Sequence, residues 1–154
     1  MNLNFKDFSD LNAYEIYEIL RARAEIFVSE QKITCPDPDG IDYDAYHCFM
    51  TEDGRVIACL RAFSIGEDTV KIGRVVTLTH GKGHGGLLMR ESIPKIIERF
   101  GCKRLVISAQ TQAEGFYKKA GFITVSEEYM EDGIPHVKME MRSSAENGLS
   151  QTKI

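Results

Sequence analysis

The chain has 154 residues, 43% of them hydrophobic and 27% charged, with a formal net charge of -4. That is the balance of one globular domain large enough to bury a core. No apolar stretch approaches the roughly 18 residues of a membrane span, and a negative chain without a basic run argues against nucleic-acid partners.

The opening MNLNFKDFSD lacks the apolar centre of a signal peptide. Asn12 and Glu15 have the spacing of a capping box. Tyr14, Tyr17, Leu20, Ala24 and Phe27 then recur at helical spacing, which predicts a helix to about Val28. Ile33 to Tyr43 contains Cys-Pro-Asp-Pro-Asp-Gly, a loop with strong turn chemistry. Ala45 to Met50 and Val56 to Phe63 read as strands joined by the turn Glu52-Asp53-Gly54. Gly66-Glu67-Asp68 leads into the strand Thr69 to Thr77. A glycine-rich loop, His80 to Gly86, opens a helix that ends near Phe100-Gly101. Pro94 lies inside that helix. It lacks a backbone donor and crowds the carbonyl of Arg90, so a kink or break is expected there. Leu105 to Ala109 is a short buried strand, and Gln112 to Ala120 a second short helix stopped by Gly121. Ile123 to Tyr129 and Pro135 to Met141 form a last hairpin across Glu131-Asp132-Gly133. Ser143 to Ile154 is polar and aperiodic, and is expected to be a disordered tail.

Cys35, Cys48, Cys59 and Cys102 show no C-x-x-C spacing, so no zinc or thioredoxin-type site is expected, and no metal. Cys48, Cys59 and Cys102 sit in or beside apolar runs and read as small core residues. Such usage suits the reducing cytoplasm. The loop carrying Asp37, Asp39, Asp42 and Asp44 lacks the closing Glu of a calcium loop and is read as turn and solvation chemistry.

HGKGHGG is the stretch that points furthest toward chemistry. It follows a β-branched run and precedes a helix, so its backbone N–H groups and the helix dipole together make a cradle for a phosphate. Gly81, Gly83 and Gly86 also fit G-x-G-x-x-G. The dinucleotide fingerprint, however, needs an acidic residue about 20 positions on, and LVISAQ there has none. A nicotinamide oxidoreductase is therefore disfavoured. A P-loop is excluded because no Lys-Ser/Thr pair follows Gly86. A glycine-rich helix entry without a ligand stays open.

The element order, with His80, Gly83 and Gly85 in the places of Gln/Arg-x-x-Gly-x-Gly/Ala, resembles the GNAT N-acetyltransferase superfamily over about residues 1–142. His80 stands where that motif has Arg or Gln. QTQAEGFYKKAGF, Gln110 to Phe122, is the second resembling stretch, with Gln110 in place of the usual Asn and with Ala113, Tyr117, Gly121 and Phe122 matching. RARAEIFVSEQ, DPDGIDYDAYH, IGRVV and EDGIPH are similar to the ElaA-like branch. The resemblance implies an α/β fold with a mixed, mostly antiparallel sheet flanked by helices. It also implies an acyl-CoA-dependent N-acetyltransferase that takes acetyl-CoA as donor and a small-molecule or peptide amine as acceptor.

The same resemblance distributes roles. Val75, Val76, His80, Gly81, Lys82, Gly83, His84, Gly85, Gly86, Gln110 and Tyr117 would hold CoA. Main-chain N–H groups at Val75 or Val76 would face the oxyanion, and Tyr117 would protonate the leaving sulfur. Glu30, His47 and His136 are the candidates for the base that accepts the amine's proton, and each has a plain structural alternative. Arg61, Arg74 and His136 are placed at the acceptor. The two arginines suit an acceptor carboxylate if they face the cleft and are otherwise ordinary ion-pairing residues. The reading leaves room for a homodimer. The alternative class is a non-catalytic acyl-CoA-binding sensor on the same scaffold, which would keep the glycine loop and not need Tyr117.

Overall fold

The computed structural model describes residues 1–143. A single eight-stranded sheet runs through it. The strands are β1 (Asn2–Asp7), β2 (Tyr46–Glu52), β3 (Arg55–Gly66), β4 (Thr69–Thr77), β5 (Arg104–Gln110), β6 (Ile123–Thr124), β7 (Tyr129–Glu131) and β8 (Ile134–Arg142). Their order is β1-β2-β3-β4-β5-β8-β6, with β7 also paired to β8. Every pairing is antiparallel except β4 with β5. The mixed, mostly antiparallel sheet expected from the sequence is present. Helices α1 (Ala13–Ala24), α2 (His84–Phe100) and α3 (Glu114–Lys119) flank it.

Strand alternation divides the core between the two faces. Cys48, Met50, Leu60 and Ile72 point toward α2 and α3, where Leu88, Met89, Ile96, Tyr117 and Phe122 meet them. Phe49, Val56, Cys59 and Val76 point the other way, toward Ile19, Ala22 and Ile26 of the α1 side. Cys48, Cys59 and Cys102 are buried and unpaired thiols, as the sequence suggests, and Cys35 is exposed.

The capping box at α1 is complete: Asn12 Oδ1 accepts from the Glu15 N–H at 2.8 Å, and Glu15 accepts from the Asn12 N–H at 3.0 Å. The buried face is not the aromatic one. Tyr14 and Tyr17 are 56% and 69% exposed, whereas Glu18, Ile19, Ala22 and Arg23 are buried. The sequence carried no expectation for Glu18 or Arg23, and each finds partners inside. Glu18 accepts from Arg21, from Arg55 and from the Val56 N–H. The helix also ends earlier than expected, passing at Glu25–Glu30 into a π-helical turn.

Two-residue turns with both central residues at positive φ close three hairpins: Asp53-Gly54 between β2 and β3, Glu67-Asp68 between β3 and β4, and Asp132-Gly133 between β7 and β8. The strand Ile123–Tyr129 predicted from the sequence is two pieces, β6 and β7, both laid on β8. Strand β1 carries no expectation from the sequence. It pairs along β2 from Asn2↔Thr51 to Asp7↔Tyr46. Helix α2 runs through Pro94 without the expected break. The proline sits on the exposed face, where the unbonded Arg90 carbonyl is open to water. Of the predicted tail, Ser143 is buried and its N–H bonds the Lys103 carbonyl at 2.9 Å. The remaining positions, 144–154, lie outside the described residues.

One irregularity creates the site. β4 and β5 pair in parallel only from Thr69↔Arg104 to Ile72↔Ile107. Beyond Ile72, a bulge sets Arg74 and Val75 of β4 opposite the single residue Leu60 of β3, and Arg74 takes a left-handed φ of 52°. A bulge of this kind bends its strand. Here β4 and β5 part, and the sheet opens between them.

Candidate active site

The cleft at the parting strands has a volume of about 630 Å³. Its floor is β4 from Lys71 to Val75 and β5 from Ile107 to Gln110. The π-helical turn, the loop after it and the β7–β8 hairpin form its rim.

Helix α2 starts beside this opening. Its N-cap is Gly83, at φ 76°, and no side chain caps it. The first-turn N–H groups of His84, Gly85 and Gly86 therefore lack a side-chain partner, and no acidic residue stands in that turn. Gly81 also has positive φ, at 81°. Gly85 serves packing: a Cβ there would lie 3.2 Å from Phe116 and 3.3 Å from Thr77. Glycine lets the helix start seat against β4 and α3. These residues make an uncapped anion cradle, the chemistry a pyrophosphate needs. His80, at its entrance, is exposed and bonds Glu30 through Nε2 at 2.9 Å. Lys82 is exposed beside it.

Tyr117 lines the cleft from α3 and is 7% exposed, packed edge-on against Phe116 and Phe122. Burial pushes its phenol well above the usual tyrosine range, so it is protonated at neutral pH. Gln110, at the end of β5, donates to Gln31 Oε1 at 3.0 Å and accepts from Gln112 at 2.7 Å. Val75 lines the cleft. The Val76 side chain is buried toward α1, which leaves only its main chain for the role the sequence assigned.

The acceptor-side residues divide. Glu30 is on the rim and His136 lines the cleft. His47 does not. It is buried on β2, opposite Arg61 of β3, with Nε2 against the Asp42 carbonyl at 2.9 Å. Burial lowers its pKa. Two strands separate it from the split, and it is corrected from catalytic candidate to core residue.

Arg61 and Arg74 line the cleft but are already paired. Arg61 bonds Asp39 twice at 2.8 Å and Asp42 at 3.1 Å. Arg74 bonds Asp37 at 2.9 Å and Asp39 at 3.4 Å. Arg23, reaching across from α1, bonds Asp37 at 2.9 Å and Asp42 at 2.7 Å. This network selects the ion-pairing alternative for the arginines and corrects the reading of the aspartates. The arginines are the partners of the aspartate loop rather than free receptors for a carboxylate. The aspartates tie that loop to α1, β3 and β4 rather than serving turns and water alone. Loop composition suggested exposed carboxylates, and nothing local marks which arginines come back to them.

The sequence reading passed over Ser108, Tyr129 and Glu131. Ser108 precedes Gln110 by two residues, so strand alternation places both on the cleft face. Glu131 accepts from Ser108 at 3.2 Å and stands 3.5 Å from His136.

An acetyltransferase (GNAT) domain family matches residues 39–143. The chain is 33% identical over 137 residues to the protein ElaA of Escherichia coli, covering 85% of this chain and 90% of that one. It is 36% identical over 146 residues to a UPF0039 protein of Schizosaccharomyces pombe, covering 91% and 97%. Among solved structures, an acyl-CoA N-acyltransferase from Pseudomonas aeruginosa superposes with a TM-score of 0.85 at 34% identity, over 92% of this chain and 99% of that one. E. coli ElaA superposes at 0.84 with 30% identity, over 91% and 98%. With its sheet parted at β4 and β5 beside an uncapped glycine-rich helix start, the chain belongs to the GNAT acetyltransferase family, in its ElaA-like branch.

Proposed function

We propose that this protein is an N-acetyltransferase that moves an acetyl group from acetyl-CoA to an amine. The observation that carries the reading is the split between β4 and β5, which opens beside the uncapped start of α2 and is lined by Tyr117. The pyrophosphate meets main-chain N–H groups of His80 to Gly86. The amide-bearing arm of CoA is extended and carries donors and acceptors, so it matches the edge of β4 that β5 leaves unpaired beyond Ile72. The thioester then lies near Val75, whose neighbourhood offers main-chain N–H groups to a developing oxyanion.

Chemistry follows from the groups in place. The neutral amine attacks the thioester carbonyl, a tetrahedral oxyanion forms, and the C–S bond breaks. Tyr117, held protonated by burial, donates to the departing sulfur. A residue in that position supports catalysis over an acyl-CoA sensor, which has no use for a proton donor at the thioester.

Titration calorimetry with acetyl-CoA, followed by an amine panel scored for released CoA thiol, tests the reading. Binding and thiol release with at least one amine are expected. Absence of acetyl-CoA binding overturns the reading, and tight binding with no turnover on any amine favours the sensor.

A further inference from the structure

His136 and Glu131 face each other in the cleft that Tyr117 also lines. His136 is 6% exposed. Its Nδ1 lies 2.7 Å from the Ile134 carbonyl oxygen. A carbonyl only accepts, so Nδ1 carries a hydrogen. Nε2 lies 3.5 Å from Glu131 Oε2, too far for a direct hydrogen bond. The carboxylate can stabilise a proton on Nε2, and a donor that reaches both atoms would bridge them.

The neighbours hold this pair in position without supplying that donor. Tyr129 stacks on the His136 ring at 26° and 6.1 Å between centroids. Ser108 bonds Tyr129 through the hydroxyls and reaches Glu131 Oε1 at 3.2 Å. β5 and β7 both pair with β8 at His136, so three strands fix the group. Ser108, Glu131 and His136 all line the cleft.

We propose that Glu131 and His136 form the acceptor subsite, where a primary alkylammonium seats between the carboxylate and Nε2 and gives its proton to the imidazole. The proposal deepens the acetyltransferase reading and rests on it. The proton moves from the ammonium to His136 Nε2, and Glu131 stabilises the resulting imidazolium. The freed nitrogen lone pair forms the C–N bond as the C–S bond breaks. Sulfur takes its proton from Tyr117, the Tyr117 oxygen regains one from the acylated nitrogen through solvent, and His136 releases its proton to water.

Charge defines the amine further. Glu30, Glu131 and Asp132 line the cleft, and among the described residues none of them pairs with a lysine or arginine. Arg61 and Arg74 are held by Asp37 and Asp39, which leaves Lys71 as the single unpaired base in the lining among the described residues. A carboxylate on the carbon bearing the amine would face Glu131. The acceptor is therefore an alkylamine rather than an α-amino acid.

Pentylamine and norleucine share an alkyl chain and differ by that carboxylate. Each is titrated into protein labelled at histidine nitrogen, with and without CoA, while the His136 ring resonances are followed. Pentylamine is expected to shift the Nε2 signal, and norleucine to bind at least about tenfold more weakly. Glu131→Gln, a change at a side chain 44% exposed, is expected to weaken pentylamine binding about tenfold or more while leaving CoA affinity unchanged. An unmoved His136 signal with normal CoA binding overturns the subsite and leaves the acetyltransferase reading intact. Loss of CoA binding in the wild type strikes the latter instead, and the amine titration without CoA still decides the subsite. Norleucine binding as well as pentylamine overturns the exclusion of α-amino acids.

Discussion

Arg61 and Asp39 meet in a two-bonded ion pair, with Nη1 to Oδ1 and Nη2 to Oδ2 both at 2.8 Å. Through Asp39 and Asp42 the pair joins Arg74 and Arg23, and the loop before β2 becomes a fixed wall of the cleft. Hydrogen bonding and charge from Arg61 hold the Asp39 carboxyl well below the usual carboxylate range, against the opposing effect of burial.

Arg23 is the member of this network with least access to water, its side chain 1% exposed. Arg23→Met keeps most of the volume but takes the buried partner from Asp37 and Asp42, leaving them only Arg74 and Arg61. Breaking a buried pair in this way costs about 3 kcal/mol, and a melting temperature lower by roughly 10 °C is expected. Thermal unfolding followed by circular dichroism checks it. A shift of a degree or two would mean that the loop carboxylates find water instead.

Acid stability should report on Glu18. Hydrogen bonds from Arg21 first, then from the Val56 N–H and Arg55, lower its pKa from 4.5 to about 2 against an opposing desolvation. The folded value lies below the unfolded one, so the stabilisation is complete above the unfolded pKa and disappears as pH falls from about 4.5 to about 2. Glu18→Gln is expected to lose a few kcal/mol of stability at pH 7 and to converge on the wild type near the lower end of that window. Urea unfolding at pH 7 and pH 3 measures the gap, and a gap of equal size at both would rule out Glu18 as its source.

Gly83 carries the left-handed turn into α2 at φ 76°. A β-branched side chain there is strained by roughly 1–2 kcal/mol even though no atom crowds it. Gly83→Val is expected to keep the sheet and weaken CoA binding about tenfold or more, because the first-turn N–H groups lose their common direction. Calorimetry on a variant shown to be folded decides this, and unchanged affinity would remove the loop from the donor site.

Tyr117→Phe removes one oxygen from a side chain held by ring packing. CoA affinity and stability are expected to stay near wild type. The turnover rate should fall by roughly 10² to 10⁴, the range for a lost general acid. Equal turnover, with chemistry shown to limit the rate, would leave Tyr117 as a packing residue.

Local chemistry announced much of this molecule before it was folded. The Asn12–Glu15 cap, the Asp-Gly turns, the β-branched strand Thr69–Thr77 and the glycines that open α2 depend on neighbours within a few residues. Their signals therefore survive in the sequence. The cradle at His80 to Gly86 is legible for the same reason. What lies across the cleft is not local. Arg61 and Arg74 could be read either as receptors or as ion-pairing residues, because their aspartates are 19 to 37 residues away in the chain. His47 looked available because its burial depends on packing of distant elements around β2. Arg23 and Glu18 hid the inward face of α1, since a charge reads as solvent-facing until its partner is seen. Glu131, Ser108 and His136 come from three strands and become one group only when β5 and β7 pair with β8. Sequence determined most of the elements and the glycine-rich start of α2 through short-range backbone chemistry. Which polar side chains face the cleft was decided by the tertiary structure, because pairing of charges and strands over long chain distances sets which of them remain free.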